Sequence, residues 1–390
     1  MSKAVLKIAV VTGSRAEYGL LKPLLDAIRK DRSLKLQLLV TGMHLSPEFG
    51  LTYQQIEQDG YRIDEKVEML LSGDTDSAIV KSTAIGMMGM ADALLRLQPD
   101  WVVLLGDRFE TFAAAFAAHQ AKIPVAHLHG GELTEGATDD AMRHAITKMS
   151  YLHFTSTEIY RKRVIQLGES PNRVFTTGAI GLDSANKISL LSNKKLSKAL
   201  GFNVTNKTVL VTYHPVTMEH QSAERQMKNL LRALDRFPDR KIIFTLPNAD
   251  SDGRVIINLI NEYVKGNPER TIVFSSLGQE KYLSALQFIE AVIGNSSSGI
   301  IEVPFFGKPT VNIGDRQRGR IRAASVIDTG IDTSSIIRGM QKAFSASFRI
   351  GLKNLKNPYG NGRATGKIVS AIKKTGHLSS TKKKFFDLRS

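Results

Sequence analysis

Cysteine is absent from this chain of 390 residues. Disulfides, thiolate metal sites and cysteine nucleophiles are thereby excluded, and a reducing compartment is permitted. No uninterrupted apolar run of about 18 residues occurs, so no membrane span is expected. The N-terminal apolar run is broken by Lys3 and Lys7 and has no signal-peptide h-region. The expected location is the cytoplasm. A GxGxxG fingerprint is missing, which argues against a bound dinucleotide. Zinc fingers, RNP-type runs and basic heptad arrays are missing too, so no nucleic-acid partner is expected.

What is present is an ordinary globular composition, with 42% hydrophobic and 23% charged residues. The length suits two domains of about 150–200 residues. The net charge of +16 reads as a surface suited to anionic ligands plus a solvated basic tail around Lys382-Lys383-Lys384. Phe385 and Phe386 offer the alternative that the tail docks on the body or on another subunit.

Apolar runs alternate with helical patterns. Strands are expected at Lys7–Val11, Leu36–Val40, Trp101–Leu105, Pro124–Leu128 and Tyr151–Thr155. Helices are expected at Ala78–Leu97 and Phe109–Gln120. After a looser connection, from about Thr176 to Lys198, the pattern restarts with strands at Thr208–Thr212, Lys241–Leu246, Thr271–Phe274, Ala291–Ile293 and Pro309–Ile313. Continuous apolar strands between helices predict parallel sheets covered on both faces. The fold class is therefore α/β, with two doubly wound, Rossmann-like domains. The expected division is 1–180, 181–375 and a basic tail 376–390, with the last helix packing back on the N-terminal domain. Ligands of such sheets bind beyond the carboxyl ends of the strands, and the cleft between the domains is the natural site.

Four motifs fall at such strand ends. Gly294-Asn295-Ser296-Ser297-Ser298-Gly299, with Glu302 beyond it, suits a phosphate at a helix start; it is also a good N-cap. Thr12-Gly13-Ser14-Arg15 is a weaker case, equally a surface turn. Tyr213-His214-Pro215 places a histidine at a strand end. The densest cluster combines Asp107, His127, His129, Glu132, Asp139, Asp140, Arg143 and His144. So many titratable groups on adjacent strand ends suit acid–base work on one carbon centre. A divalent metal site and plain helix capping are the competing readings.

Taken in order, Arg15-Ala16-Glu17-Tyr18, Gly106-Asp107-Arg108, Gly130-Gly131-Glu132, Asp139-Asp140, Arg143 through Lys148, His214-Pro215 and Gly294-Asn295-Ser296-Ser297 resemble the hydrolysing UDP-N-acetylglucosamine 2-epimerases of sialic- and legionaminic-acid biosynthesis. The resemblance runs from about Lys7 to Lys374. It implies a GT-B-like fold, a UDP-linked N-acetylamino sugar as substrate, no cofactor and no metal, and a homodimer or homotetramer. It implies loss of UDP from C1 with removal of the C2 proton, then hydration with inversion at C2. Asp107 and Asp139 match acid–base carboxylates. Arg15, His214, Ser296 and Ser297 match diphosphate contacts, and Glu302 a ribose contact. Asn248 and Arg316 fall on the nucleotide side, and Arg143 and His144 are further substrate contacts.

One departure matters. Sialic-acid members show His-Ile-Glu-Gly-Gly-Glu, whereas this chain has His127-Leu128-His129-Gly130-Gly131-Glu132. His129 stands where a catalytic glutamate is expected. Three readings stay open: His129 serves as the acid–base group, Glu132 takes over, or the sugar differs. The substrate favoured on this basis is UDP-2,4-diacetamido-2,4,6-trideoxyglucose (UDP-diacetylbacillosamine), ahead of UDP-N-acetylglucosamine. A glycosyltransferase and a non-catalytic UDP-sugar sensor are the alternatives.

Overall fold

The computed structural model describes residues 5–72, 75–134, 139–214, 223–247 and 253–388, with Lys187 by its backbone alone. The chain divides into two compact units: Met1–Glu132, Thr138–Lys187 and Tyr359–Ser390 form one, Leu133–Ala137 and Ile188–Pro358 the other.

The first unit runs β1 (Leu6–Thr12), α1 (Arg15–Lys30), β2 (Leu34–Thr41), α2 (Tyr53–Gln58), β3 (Glu65–Val67), α3 (Asp76–Leu97), β4 (Trp101–Leu105), α4 (Phe109–Gln120), β5 (Val125–Leu128), α5 (Asp139–Met149), β6 (Leu152–Thr155), α6 (Glu158–Gln166), β7 (Val174–Thr176) and α7 (Gly181–Lys187). Its seven strands pair in the order β3-β2-β1-β4-β5-β6-β7, all parallel. The apolar runs explain why. Successive residues of a strand point to opposite faces, and both faces are covered. Ile8, Val10, Trp101, Val103 and Leu105 share one core with Leu21, Leu24, Leu25 and Ile28 of α1. Ala9, Val11, Val102 and Leu104 share another with Met90 of α3 and the alanines of α4. Helix α3 is long and apolar enough to cross a membrane by length and composition. Its Gly86, Met90, Ala93 and Leu94 are nonetheless buried, while Val80, Met88 and Leu95 stay exposed.

The second unit runs α8 (Asn193–Leu200), β8 (Thr208–Thr212), α9 (Ala223–Asp235), β9 (Lys241–Thr245), α10 (Gly253–Gly266), β10 (Thr271–Phe274), α11 (Gly278–Phe288), β11 (Ala291–Gly294), α12 (Ser297–Ile301), β12 (Thr310–Ile313), β13 (Val326–Thr329), α13 (Thr333–Phe344) and α14 (Ala346–Gly351). Its six strands pair in the order β10-β9-β8-β11-β12-β13, again all parallel. The chain then returns to the first unit with α15 (Ala364–Thr375), whose Ala364, Ile368 and Ile372 join the α1 core. Helix α7 also lies in the first unit, a few residues past the expected boundary after residue 180. The supposedly loose connection from Thr176 to Lys198 holds α7 and the start of α8.

The basic tail is docked, not solvated. Lys383 Nζ donates to both carboxylate oxygens of Glu169 at 2.8 Å and to the Ser150 carbonyl at 2.6 Å. Phe386 N–H donates to the Gly168 carbonyl at 2.9 Å. Glu169 is buried; it also meets Lys148 at 2.7 Å and His153 at 3.1 Å. The His153 ring, then Lys148 and Lys383, hold its carboxyl down at about 2, against the burial that would raise it. Lys383→Met should lower stability by about 2–3 kcal/mol, less than for a wholly uncompensated buried charge because Lys148 remains. Urea unfolding monitored at Trp101, whose indole N–H donates to the Gly376 carbonyl, would read it.

Candidate active site

Each sheet reverses strand order once, at β1/β4 in the first unit and at β8/β11 in the second. Crevices form at such points because the flanking loops leave in opposite directions. The motifs singled out in the sequence follow β1, β4, β5, β8 and β11.

In the first unit Asp107 follows β4 and pairs with the Arg143 guanidinium on α5. Arg143 is buried. It also donates to Asp140 at 3.0 Å and to the Glu132 carbonyl at 2.7 Å. Asp140 Oδ2 lies 3.5 Å from His144 Nε2. Thus one guanidinium ties the β4 loop, the β5 loop and α5 together. His127 braces the same corner: its Nε2 lies 2.7 Å from the Gly106 carbonyl and its Nδ1 3.2 Å from Thr147 Oγ1. Burial lowers its pKa to about 3, so the ring is neutral and Nε2–H donates to that carbonyl.

Asp139 opens α5. Burial, then the neighbouring Asp107 charge, raises its carboxyl to about 6. A carboxylate titrating near neutrality can take and return protons. Its sequence neighbour Asp140 instead serves Arg143 and His144, so the doublet divides its labour.

His129 lies in the left-handed region at φ 66°. Its Nε2 accepts the Ile180 N–H at 3.2 Å, and its Nδ1 lies 3.2 Å from Glu132 Oε1. The same oxygen accepts from Ser156 Oγ at 2.9 Å. Between them, Gly131 at φ 80° is required: a Cβ there would sit 2.5 Å from the Tyr160 carbonyl oxygen. Arg15 stands exposed at the first position of α1. Behind it Ser14 caps the helix and Glu17 accepts the Gly13 N–H at 2.6 Å. Burial lifts the Glu17 carboxyl to about 8.

In the second unit Asn295 is fully buried and grips both backbone groups of His214: its Oδ1 accepts the N–H at 2.7 Å and its Nδ2 donates to the carbonyl at 2.8 Å. The Asn295 carbonyl accepts from Arg316 at 3.2 Å and Gln317 at 2.9 Å. His214 is held neutral, its pKa lowered to about 4 by burial and then by Arg316. Ser296 caps α12 by accepting the Ser298 N–H at 3.4 Å, and Ser297 is the first residue of that helix. Tyr282 hydroxyl bonds Ser298, and burial with the Glu302 charge raises its pKa. Hence His214, Asn295, Ser296 and Arg316 form one cluster in this unit, and Glu302 stands near Tyr282. Asn248 lies outside the described residues. No group of three or more His, Cys, Asp or Glu among the described residues is placed to share a metal ion.

Asn295 lies inside a motif legible in the sequence, but its role depends on a backbone 81 positions away. Ser156 and Tyr282 carry no signal at all, since each acts from another element.

Residues 26–373 match the family described as UDP-N-acetylglucosamine 2-epimerase. A Campylobacter jejuni protein named GDP/UDP-N,N'-diacetylbacillosamine 2-epimerase (hydrolyzing) is 43% identical over 98% of this chain and 99% of its own length. A Legionella pneumophila protein named UDP-N,N'-diacetylbacillosamine 2-epimerase (hydrolyzing) is 34% identical over 95% and 96%. Among solved structures, UDP-GlcNAc 2-epimerase from Neisseria meningitidis bound to UDP-GlcNAc superposes with a TM-score of 0.81 at 20% identity, over 95% of this chain and all of that one, which gives the GT-B-like fold. The chain therefore belongs to the UDP-N-acetylglucosamine 2-epimerase family, on its hydrolysing UDP-sugar branch.

Proposed function

We propose that the substrate is UDP-2,4-diacetamido-2,4,6-trideoxyglucose, with UDP-N-acetylglucosamine second, and that the products are UDP and the free sugar inverted at C2. The acid–base cluster of the first unit, centred on the raised carboxyl of Asp139, carries the chemistry of this reading. The near full-length similarity to two proteins named for the diacetamido sugar supports the substrate. In the first step Asp139 takes the C2 proton while the C1–O bond breaks and UDP departs, leaving a C1=C2 double bond. In the second, a protonated Glu132 gives its proton to C2 from the opposite face while water bonds its oxygen to C1 and releases a proton to solvent, from which Glu132 is reprotonated. C2 is weakly acidic, so departure of the anionic diphosphate must drive the first step. Arg15, His214, Ser296, Ser297 and Arg316 are the groups assigned to it, with Glu302 on the ribose and Asn248 on the nucleotide. His214 donates as a neutral imidazole.

We place the enzyme in the cytoplasm as a homodimer or homotetramer, a state that the exposed Val80, Met88 and Leu95 of α3 favour. The test is UDP release without any acceptor, measured side by side for the two UDP-sugars and for the GDP-linked diacetamido sugar that the Campylobacter name includes. The diacetamido UDP-sugar should show a kcat/KM at least about tenfold above UDP-N-acetylglucosamine, the discrimination that pocket contacts to the altered C4 and C6 substituents can supply. Equal or reversed values would remove the substrate assignment, and a requirement for an acceptor would remove the hydrolase.

A further inference from the structure

We infer that His129 is a positioning residue, not a proton carrier: it fixes the Glu132 carboxylate from a ring whose two nitrogens are both engaged by the fold. The inference rests on the epimerase reading above and deepens it.

His129 follows β5, and its N–H still donates to the Phe154 carbonyl on β6 at 2.8 Å. The chain then turns through φ 66° at His129 itself. That conformation is strained for a non-glycine residue, so it persists only where its surroundings hold it. They do so through the side chain. Ile180 N–H, 51 positions along the chain, donates to Nε2 at 3.2 Å. A backbone amide can only donate, so Nε2 holds the lone pair and the proton of the neutral ring sits on Nδ1. Nδ1–H then faces Glu132 Oε1 at 3.2 Å. Protonating Nε2 would set N–H against N–H, and releasing the Nδ1 proton would leave a bare nitrogen lone pair facing the Glu132 oxygen 3.2 Å away. Neither change is available to a group that must cycle protons at each turnover.

Glu132 receives what His129 gives. Its Oε1 accepts from the Ser156 hydroxyl at 2.9 Å and lies 3.2 Å from His129 Nδ1. Its carbonyl accepts from Arg143 at 2.7 Å. Gly130 and Gly131 let the loop close tightly: Cβ atoms there would meet Thr147 Oγ1 at 3.0 Å and the Tyr160 carbonyl oxygen at 2.5 Å. A carboxylate bonded by the Ser156 hydroxyl and flanked by the His129 ring at the same oxygen is held in one orientation. With histidine at the first glutamate position of the pattern, the carboxylate that remains, Glu132, gains His129 as its support.

The experiment compares His129→Gln with His129→Ala at saturating UDP-diacetylbacillosamine. Glutamine carries one acceptor and one donor at a similar reach, so it can bind Ile180 and Glu132 but cannot titrate. We expect His129→Ala to lose about 10–100-fold in kcat with KM within about threefold, and His129→Gln to recover at least about tenfold of that loss. A folded His129→Gln that binds UDP normally yet is at least about 10³-fold down in kcat would overturn the inference, since that is the signature of a lost proton carrier. Should the alanine variant not fold, the glutamine variant decides alone. The wild-type rate is measured first and separates the two claims: no turnover by wild type sinks the epimerase reading, whereas a working wild type with a dead glutamine variant sinks only the role of His129.

Discussion

Asparagine in place of Asp139 is expected to reduce kcat by about 10³-fold, within the usual contribution of a positioned general base or acid. The same carboxyl sets the pH dependence. In the free protein it titrates near 6, raised by burial and by Asp107. Acting as a base it must be ionised, so wild-type kcat/KM should fall about tenfold per unit below about pH 6 and level off above it. The Asp139→Asn protein should lack that limb. Stability should move the other way. A folded-state pKa above the unfolded value means that the group's stabilising contribution is complete below the unfolded pKa of about 4 and is lost as pH rises through about 6. The neutral amide should therefore make the variant more heat-resistant than wild type at about pH 8, with the difference vanishing near pH 4. Activity and stability trading places at one residue is the behaviour of a strained functional group. A variant that is inactive but equally stable at both pH values would contradict the raised carboxyl.

The second large effect belongs to Gly294→Ala. Gly294 has φ 137°, and a Cβ there would lie 1.9 Å from the Thr212 carbonyl oxygen on the paired strand β8. Backbone cannot yield as a flexible side chain can, so β8 and β11 must part at the switch point. Destabilisation of at least about 4 kcal/mol is expected, in the range reserved for forced backbone clashes. The effect on function should be sharper still. Asn295 follows directly and holds both backbone groups of His214, while its carbonyl anchors Arg316 and Gln317. Shifting it disperses the cluster assigned to the diphosphate, and UDP affinity should fall at least about 100-fold even in the fraction that folds, a loss of about 2.7 kcal/mol in binding. Gly201→Ala is the control. It has a left-handed φ of 62° but open space around it, so it should cost only about 1 kcal/mol and leave UDP binding intact. Calorimetric titration with UDP, paired with thermal unfolding, reads both.

The central strands are legible in the sequence because each buries both faces, which leaves an unbroken apolar run. The strands that the pattern does not announce, β3, β7 and β13, all lie at sheet edges and span three or four residues. An edge strand pairs on one side only and tolerates polar residues such as Glu65, Lys66 and Asp328, so its pattern fades. Helix α8 falls in the stretch read as a loose connection although its signals are present, with Ser192 before it and Gly201 in the left-handed conformation closing it. At the candidate site the residue types and spacings of Asp107, Asp139 and Arg143 announce a cluster. Their division of labour does not follow from spacing: Asp139 and Asp140 are adjacent in sequence, and only the Arg143 guanidinium separates their roles. The role of His129 is even less accessible. It depends on Ile180 N–H and on Ser156, partners from other strands' ends that no local pattern names.

The central claim, abstraction and return of a proton at C2 on opposite faces with loss of UDP, is tested most directly by proton NMR of the reaction with UDP-diacetylbacillosamine in deuterated water. The account predicts UDP together with a free manno-configured sugar that carries one deuterium at C2. A released sugar that retains its C2 hydrogen and its original configuration would show simple hydrolysis at C1, and would contradict the acid–base roles assigned to Asp139 and Glu132.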